Sequence, residues 1–268
     1  MPETFFLNDG DRFLPTELTR GPWDPRAQHA GPPAALLGWA AERHGERAEM
    51  RVTRATFEIL RPVPIAPLEL TTTLLRGGRN VELVGASLAS QGGEVMRLVA
   101  LRIRTTRLEL PDGGPPAAAG APPGPEQGTP LPFFPTGSDV GYHTAMEWRF
   151  VEGGFLEPGP ATAWLRMRHP LLPGEEPSPL QRVLIAADSG NGVSTVLDWR
   201  SWLFVNCDLT VYLQRPPVGE WVCLQARTTV DDAGTGLAES MIYDLHGPVA
   251  RGLQSLFVAE RNAGASDS

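Results

Sequence analysis

The run Asn206-Cys207-Asp208-Leu209-Thr210-Val211-Tyr212-Leu213-Gln214-Arg215-Pro216 closes on Arg-Pro and passes through Pro217-Val218-Gly219 into Glu220-Trp221. Its period-two alternation predicts one strand with two unlike faces. Asn206, Asp208 and Thr210 fall on a polar face, while Cys207, Leu209, Val211 and Leu213 fall on an apolar face that must cover a core. A second run of this kind, Arg54-Ala55-Thr56-Phe57-Glu58-Ile59-Leu60-Arg61-Pro62-Val63-Pro64, occurs earlier and also closes on Arg-Pro. An apolar helical stretch precedes each run and further strand-like runs follow it, so the order is a helix and then an antiparallel meander. The chain reads as one unit written twice, and only the second copy puts a carboxylate, Asp208, in that strand.

Two copies of roughly 110–130 residues suit the size of ordinary domains and account for the 268 residues. The expected division is an N-terminal unit over 1–110, a linker over 111–140, a C-terminal unit over 141–260 and a disordered tail over 261–268. The linker begins Pro111-Asp112-Gly113-Gly114-Pro115-Pro116, a composition that buries too little apolar area to order itself. Phe133 and Phe134 near its end are the exception, and anchor it to the body.

In the first unit, Thr4 to Leu18 reads as a hairpin broken at Asn8-Asp9-Gly10-Asp11. Pro32 and Pro33 suit the first turn of a helix, where a missing N–H costs nothing, and Gly45 suits the left-handed position that ends one. A helix from about Pro32 to His44 follows, and its Ala, Leu and Trp side chains mark it as buried on most sides. Strands extend from Arg51 to Arg107, with turns at Gly77-Gly78 and Gly92-Gly93. In the second unit Thr144–Phe150 and Ala161–Arg168 alternate as strands. Ser178 then caps a helix that begins at Pro179 and runs through Asp188 to the glycines Gly190 and Gly192. Strands Trp221–Val230, Leu237–Tyr243 and Val249–Val258 complete the unit, the last two joined by a turn at Asp244-Leu245-His246-Gly247.

A formal charge of −8 with no run of like charge provides no field for a nucleic-acid backbone. Every one of the 23 basic residues is arginine, which a coding bias explains. Cys207 and Cys223 make no disulfide framework and no metal-ligand cluster, so neither metal nor other cofactor is expected, and a reducing cytoplasm fits. No apolar run approaches the roughly 20 residues of a membrane span.

The runs Gln28-His29-Ala30-Gly31-Pro32-Pro33-Ala34-Ala35-Leu36-Leu37 and Phe57 to Pro64, then Ala187-Asp188-Ser189-Gly190-Asn191-Gly192, Asp208 to Pro216, Gly219-Glu220-Trp221 and Gly247 to Ser255, come in one order with family-like spacing. Together they resemble the acyl-CoA thioesterase family of the double hotdog type, which includes bacterial acyl-CoA thioesterase II. The resemblance covers most of the chain. It implies an α+β double hotdog fold of two tandem units, each an antiparallel sheet wrapped around a long central helix. It further implies hydrolysis of an acyl-CoA or acyl-carrier thioester by a water that an Asp, a Thr and a Gln activate, and these fall on Asp208, Thr229 and Gln254. Single hotdog thioesterases often carry an acidic residue on the helix, which makes Asp188 an alternative, unless it caps the following loop. A homo-oligomer, a dimer of double hotdogs or higher, is also expected.

Taken alone, the alternation makes Asp208 a solvated strand residue. A hairpin turning near Pro217–Gly219 would bring Thr228 or Thr229 beside it, and the sequence leaves the register open between the two. Gln254 shares a face with Ala250, Gly252, Leu256 and Val258, where a buried amide needs partners. At the corresponding positions the first unit carries Arg54 and Ala100, so it should be catalytically silent. Donors for the developing oxyanion are expected at the start of the first helix, around His29, Ala30 and Gly31, with Gln28, His29 and Gly31 as substrate-binding residues. Cys207 is expected to be a buried structural thiol. Two rival functions are a hotdog hydratase or dehydratase, whose Asn-Pro-x-His stretch is absent, and a non-catalytic acyl-thioester binding protein.

Overall fold

The structure is a computed structural model, and it describes residues 3–109 and 121–261. The first half opens with the hairpin β1 (Phe6–Asp9) and β2 (Arg12–Pro15), then α1 (Gly31–Arg43) and four strands, β3 (Met50–Ile59), β4 (Leu68–Arg76), β5 (Val81–Ser90) and β6 (Gly93–Arg104). The second half has a single turn of helix, α2 (Tyr142–Ala145), the hairpin β7 (Met146–Gly154) and β8 (Glu157–Met167), then α3 (Pro179–Ala187) and the short α4 (Gly190–Val193). It ends in β9 (Trp202–Asn206), β10 (Asp208–Leu213), β11 (Val222–Val230), β12 (Thr235–Asp244) and β13 (Gly247–Glu260).

The strands form one antiparallel sheet in the order β1-β2-β4-β5-β6-β3-β10-β13-β12-β11-β8-β7, with β9 added beside β13. Read from its centre outward, the sheet repeats itself: β3, β6, β5, β4 on one side answer β10, β13, β12, β11 on the other. The two Arg-Pro strands meet there. Thr56 pairs with Thr210, residues 154 apart whose hydroxyls lie 3.4 Å from each other. Arg61 and Arg215 are separated by the same interval, so Thr56 and Thr210 are equivalent positions facing each other across a local two-fold.

Both helices begin as the sequence indicates. Pro32 and Pro33 occupy the first turn of α1, and Gly45 follows its end with φ +69°. In α3 the Ser178 hydroxyl accepts from the Gln181 N–H at 3.2 Å. Neither is a long helix: α1 has 13 residues and α3 nine, because the turn at Asp188-Ser189 separates α3 from α4. The helices pack on one another where side chains are small. A Cβ at Gly31 would collide with the Ile185 carbonyl, and one at Gly38 with Leu184.

Sequence periodicity could not supply the anchor of α1. Arg102 is fully buried, ion-paired with Glu82, and donates to the carbonyls of Ala41 (2.9 Å), Glu42 (3.3 Å) and His44 (2.9 Å). One guanidinium thereby satisfies carbonyls at the end of a helix that have no partner within it.

Three expectations need correction. The organising run is not one strand. From Asn206 to Thr210 there are four steps, but only three from Leu256 to Leu253 opposite, so one extra residue makes a bulge at Cys207-Asp208. The bulge reverses the faces, which leaves Cys207 exposed rather than buried. Second, β10 and β11 form no hairpin: β10 lies between β3 and β13, and β11 between β8 and β12. Third, much of 121–140 is seated on the body. Thr129 and Phe150 exchange both backbone hydrogen bonds (2.8 and 2.9 Å), the Trp164 indole donates to the Pro123 carbonyl at 2.7 Å, and Phe134 is buried. Positions 111–120 and the tail over 262–268 lie outside the described residues.

Candidate active site

The bulge decides which polar groups face inward. Asn206, at the end of β9, lies on the same side as buried Phe204, whereas Asp208 one step past the extra residue turns outward. Asp208 accepts from the Ser255 backbone N–H at 2.6 Å and sits opposite Glu58. Thr229 is exposed, with its hydroxyl 3.4 Å from the Leu237 carbonyl. Gln254 is buried, so the structure does not bring Asp208, Thr229 and Gln254 together.

Gln254 instead meets Asp188. Its amide donates to Asp188 Oδ1 and to the Asp188 carbonyl, both at 3.1 Å, and the Asn206 amide donates to the same Oδ1 at 2.9 Å. Gly190 permits this approach, since a Cβ there would press on Gln254 Oε1 and Ser240 Oγ at 2.8 Å. Asp188 Oδ2 lies 3.1 Å from His29 Nδ1, which also accepts the Gly31 N–H at 3.1 Å. The backbone N–H groups of Gly31 and Ala30 address the Asp188 carboxylate. The His29 N–H is bonded to the Thr19 carbonyl at 2.8 Å. The donors expected to serve an oxyanion at this helix start are therefore engaged with Asp188, with the His29 ring or with backbone.

Burial raises the Asp188 pKa to about 7, against the lowering by its Asn206, Gly31, Ala30 and Gln254 hydrogen bonds. Burial lowers that of His29 to about 3, so the ring is neutral at physiological pH. Tyr142 stacks on the imidazole at 3.7 Å, and its hydroxyl donates to the Ile185 carbonyl at 2.7 Å, fixing the ring beside Asp188. Thr228 is the inward hydroxyl of β11, 2.9 Å from Ser194 Oγ and 3.4 Å from Asn191 Oδ1, a short distance along the wall that holds α4.

A cavity of about 420 Å³ opens onto this group, lined by Gln28, His29, Asp188, Ser189, Asn191 and Asn206 among others. Gln254 and Thr228 stand outside its lining. Gln28 donates to the Pro64 carbonyl at 2.7 Å, and its Oε1 has no hydrogen-bond partner among the described residues. Among the described residues no cluster of His, Cys, Asp or Glu could hold a metal ion, and no helix is long and apolar enough to cross a membrane.

The first half keeps the backbone of this arrangement without its chemistry. A bulge lies between Val52 and Arg54 of β3, with Val52 opposite Arg102, positions 154 before Asn206 and Leu256. By the same interval Ala100 stands where the second half has Gln254. Both amides are thus replaced by apolar side chains. Asn206 is the residue that sequence reading missed. The signal that could have found it was the mismatch in strand length on the two sides of Cys207, which a single sequence does not display.

Solved structures share this architecture. A hotdog-fold protein of unknown function from Alicyclobacillus acidocaldarius superposes with a TM-score of 0.74 at 16% identity, covering 95% of each chain. A candidate thioesterase II from Thermobifida fusca YX gives 0.75 at 18%, covering 96% of each. Acyl-CoA thioesterase II TesB2 from Mycobacterium marinum gives 0.67 at 17%, covering 95% of each. At such identities the likeness defines a class, the hotdog fold. No curated protein matches the sequence. Residues 19–103 match the acyl-CoA thioesterase N-terminal domain and residues 125–258 the acyl-CoA thioesterase C-terminal domain. The chain belongs to the acyl-CoA thioesterase family and is a thioester hydrolase.

Proposed function

We propose that this protein hydrolyses acyl-CoA thioesters, or acyl groups on a carrier of like chemistry, at Asp188. In this reading the chain is two tandem hotdog units, the first ending near residue 110 and the second starting near residue 141, and only the second is catalytic. The observation that carries the reading is a buried carboxylate at the wall of an apolar cavity, held on one oxygen by the amides of Asn206 and Gln254. Its pKa near 7 suits a general base at neutral pH.

In the reaction Asp188 takes a proton from water as the water oxygen attacks the thioester carbonyl carbon. The tetrahedral intermediate collapses with cleavage of the carbon–sulfur bond, and the proton held by Asp188 passes to the departing thiolate. A carboxylic acid and a thiol are released, and Asp188 is again ionised. Gln254 does not touch substrate and acts as a positioning residue, while Asn206 lines the cavity and can meet the water or the carbonyl. Gln28, whose side-chain amide is oriented by the Pro64 carbonyl, helps to shape the cavity wall. His29 Nδ1, which accepts the Gly31 N–H, stands beside the second carboxylate oxygen without donating to it. The test is thiol release from a panel of acyl-CoA substrates: turnover that Asp188→Asn abolishes supports the reading, and turnover it leaves intact removes it.

A further inference from the structure

The cavity beside Asp188 is not walled by the two halves alone. The segment that joins them crosses it as a strap, tied at one end by the Thr129–Phe150 backbone pair. At the other end Arg20 donates to the Val140 carbonyl at 3.0 Å and the Tyr142 N–H to the Arg20 carbonyl at 2.9 Å. Between these ties two rings enter the protein. Phe134 is 5% exposed, stacked against Trp23 (4.9 Å) and Trp199 (5.4 Å). Phe133 meets Phe155 edge-on at 4.4 Å and His143 at 5.2 Å. Both rings line the same cavity as Asp188 and Asn206.

The sequence reading of these phenylalanines as anchors for a linker explains their burial but not their position. Anchoring could be achieved anywhere on the body, whereas these rings form part of the apolar lining of the cavity that holds the reacting carboxylate. Aromatic side chains packed edge and face against others are stiff, and do not fold away to admit a larger guest. At about 420 Å³ the cavity is also at the smaller end of the roughly 300–1,000 Å³ usual for ligand pockets.

We propose that Phe133 and Phe134 are specificity-determining residues, the wall by which the inter-unit strap restricts the pocket to compact acyl groups and excludes long chains. This rests on the reading of the Asp188 cavity as the acyl pocket. The strap is then part of the second unit's active site, and the connection between the units acts in substrate choice.

The experiment compares kcat/KM for butyryl-CoA and palmitoyl-CoA in the full chain, in Phe133→Ala and Phe134→Ala, and in the milder Phe133→Leu and Phe134→Leu. It is paired with binding of the non-hydrolysable butyl- and hexadecyl-CoA thioethers. The parent should favour butyryl. The palmitoyl-to-butyryl ratio should rise at least about tenfold in the alanine variants, the scale on which a hydrophobic pocket discriminates by size, and severalfold in the leucine variants. The thioether affinities should shift in the same sense. Should the alanine variants fail to fold, the leucine pair decides. Folded variants whose ratios stay at the parent's value, or a parent that favours palmitoyl, would overturn the proposal. Absence of all turnover alongside a shifted thioether ratio would instead remove the hydrolase reading and leave the wall in place.

Discussion

At the scale of the residue, Asp188 explains more of the site than any other side chain. Its burial and its two amide donors oppose each other, and the balance leaves its pKa near 7. Since the general base must be ionised, kcat/KM should rise with pH through about 7 and level off above it, which a pH-rate profile measures. Gln254 donates to the ionised form, so Gln254→Ala should move the inflection to higher pH while reducing the plateau by roughly tenfold, less than loss of the base itself. The same carboxylate costs stability. Its folded pKa is raised above the ordinary 3.8, so the folded state holds the proton more tightly. This residue's contribution is therefore most favourable below about pH 4 and is lost as pH rises toward 7. Asp188→Asn should accordingly raise Tm by roughly 4–8 °C at pH 8 and by little at pH 4, as thermal melts at the two pH values would report. Asp188, Gln254 and Thr228 were all visible as candidates in the sequence. What could not be read there was that Asn206 faces inward to Asp188, since a period-two pattern is blind to one inserted residue.

At the scale of the element, the bulge at Cys207-Asp208 does the sorting. It turns Asn206 in and exposes Cys207, while Asp208 stays on the outer face against the Ser255 N–H. Deleting Cys207 would remove the extra residue and restore a plain alternation, with Asn206 and Leu209 on the inner face and Asp208 still outward. Turnover should then still depend on Asp188, and adding Asp188→Asn to the deletion should abolish thiol release while adding Asp208→Asn should not. The helix ends are governed differently. Caps such as Ser178 and the glycine after α1 are local and were legible, but the anchoring of the α1 C-terminus by Arg102, 61 residues beyond Ala41, was not. Arg102→Ala leaves Glu82 buried without its inner partner and strips three carbonyls of their donor. Chemical denaturation should show a loss of about 3–5 kcal/mol, and the reverse result, a loss below 1 kcal/mol, would mean that Arg47, which also reaches Glu82 at 3.0 Å, suffices alone.

At the scale of the whole molecule, the repeat was the part of the fold most plainly written in the sequence, because the two Arg-Pro runs keep one spacing and meet at the centre of the sheet as Thr56 and Thr210. The sequence did not disclose that the halves share even their bulge, nor that the connection between them folds into the pocket wall, because Pro- and Gly-rich composition conceals two well-placed rings. With Val52 and Ala100 in place of the amides, the first unit retains the scaffold without the machinery. Catalysis is therefore proposed to rest on one carboxylate in one half. The most direct test is to compare Asp188→Asn with Asp208→Asn for hydrolysis of butyryl-CoA at pH 8, with binding of the butyl-CoA thioether checked in both. Asp188→Asn should bind the thioether and lose roughly 10²–10⁴-fold in kcat, while Asp208→Asn stays within about threefold of the parent. A silent Asp208→Asn beside a fully active Asp188→Asn, or the loss falling on Asp208 instead, would contradict it.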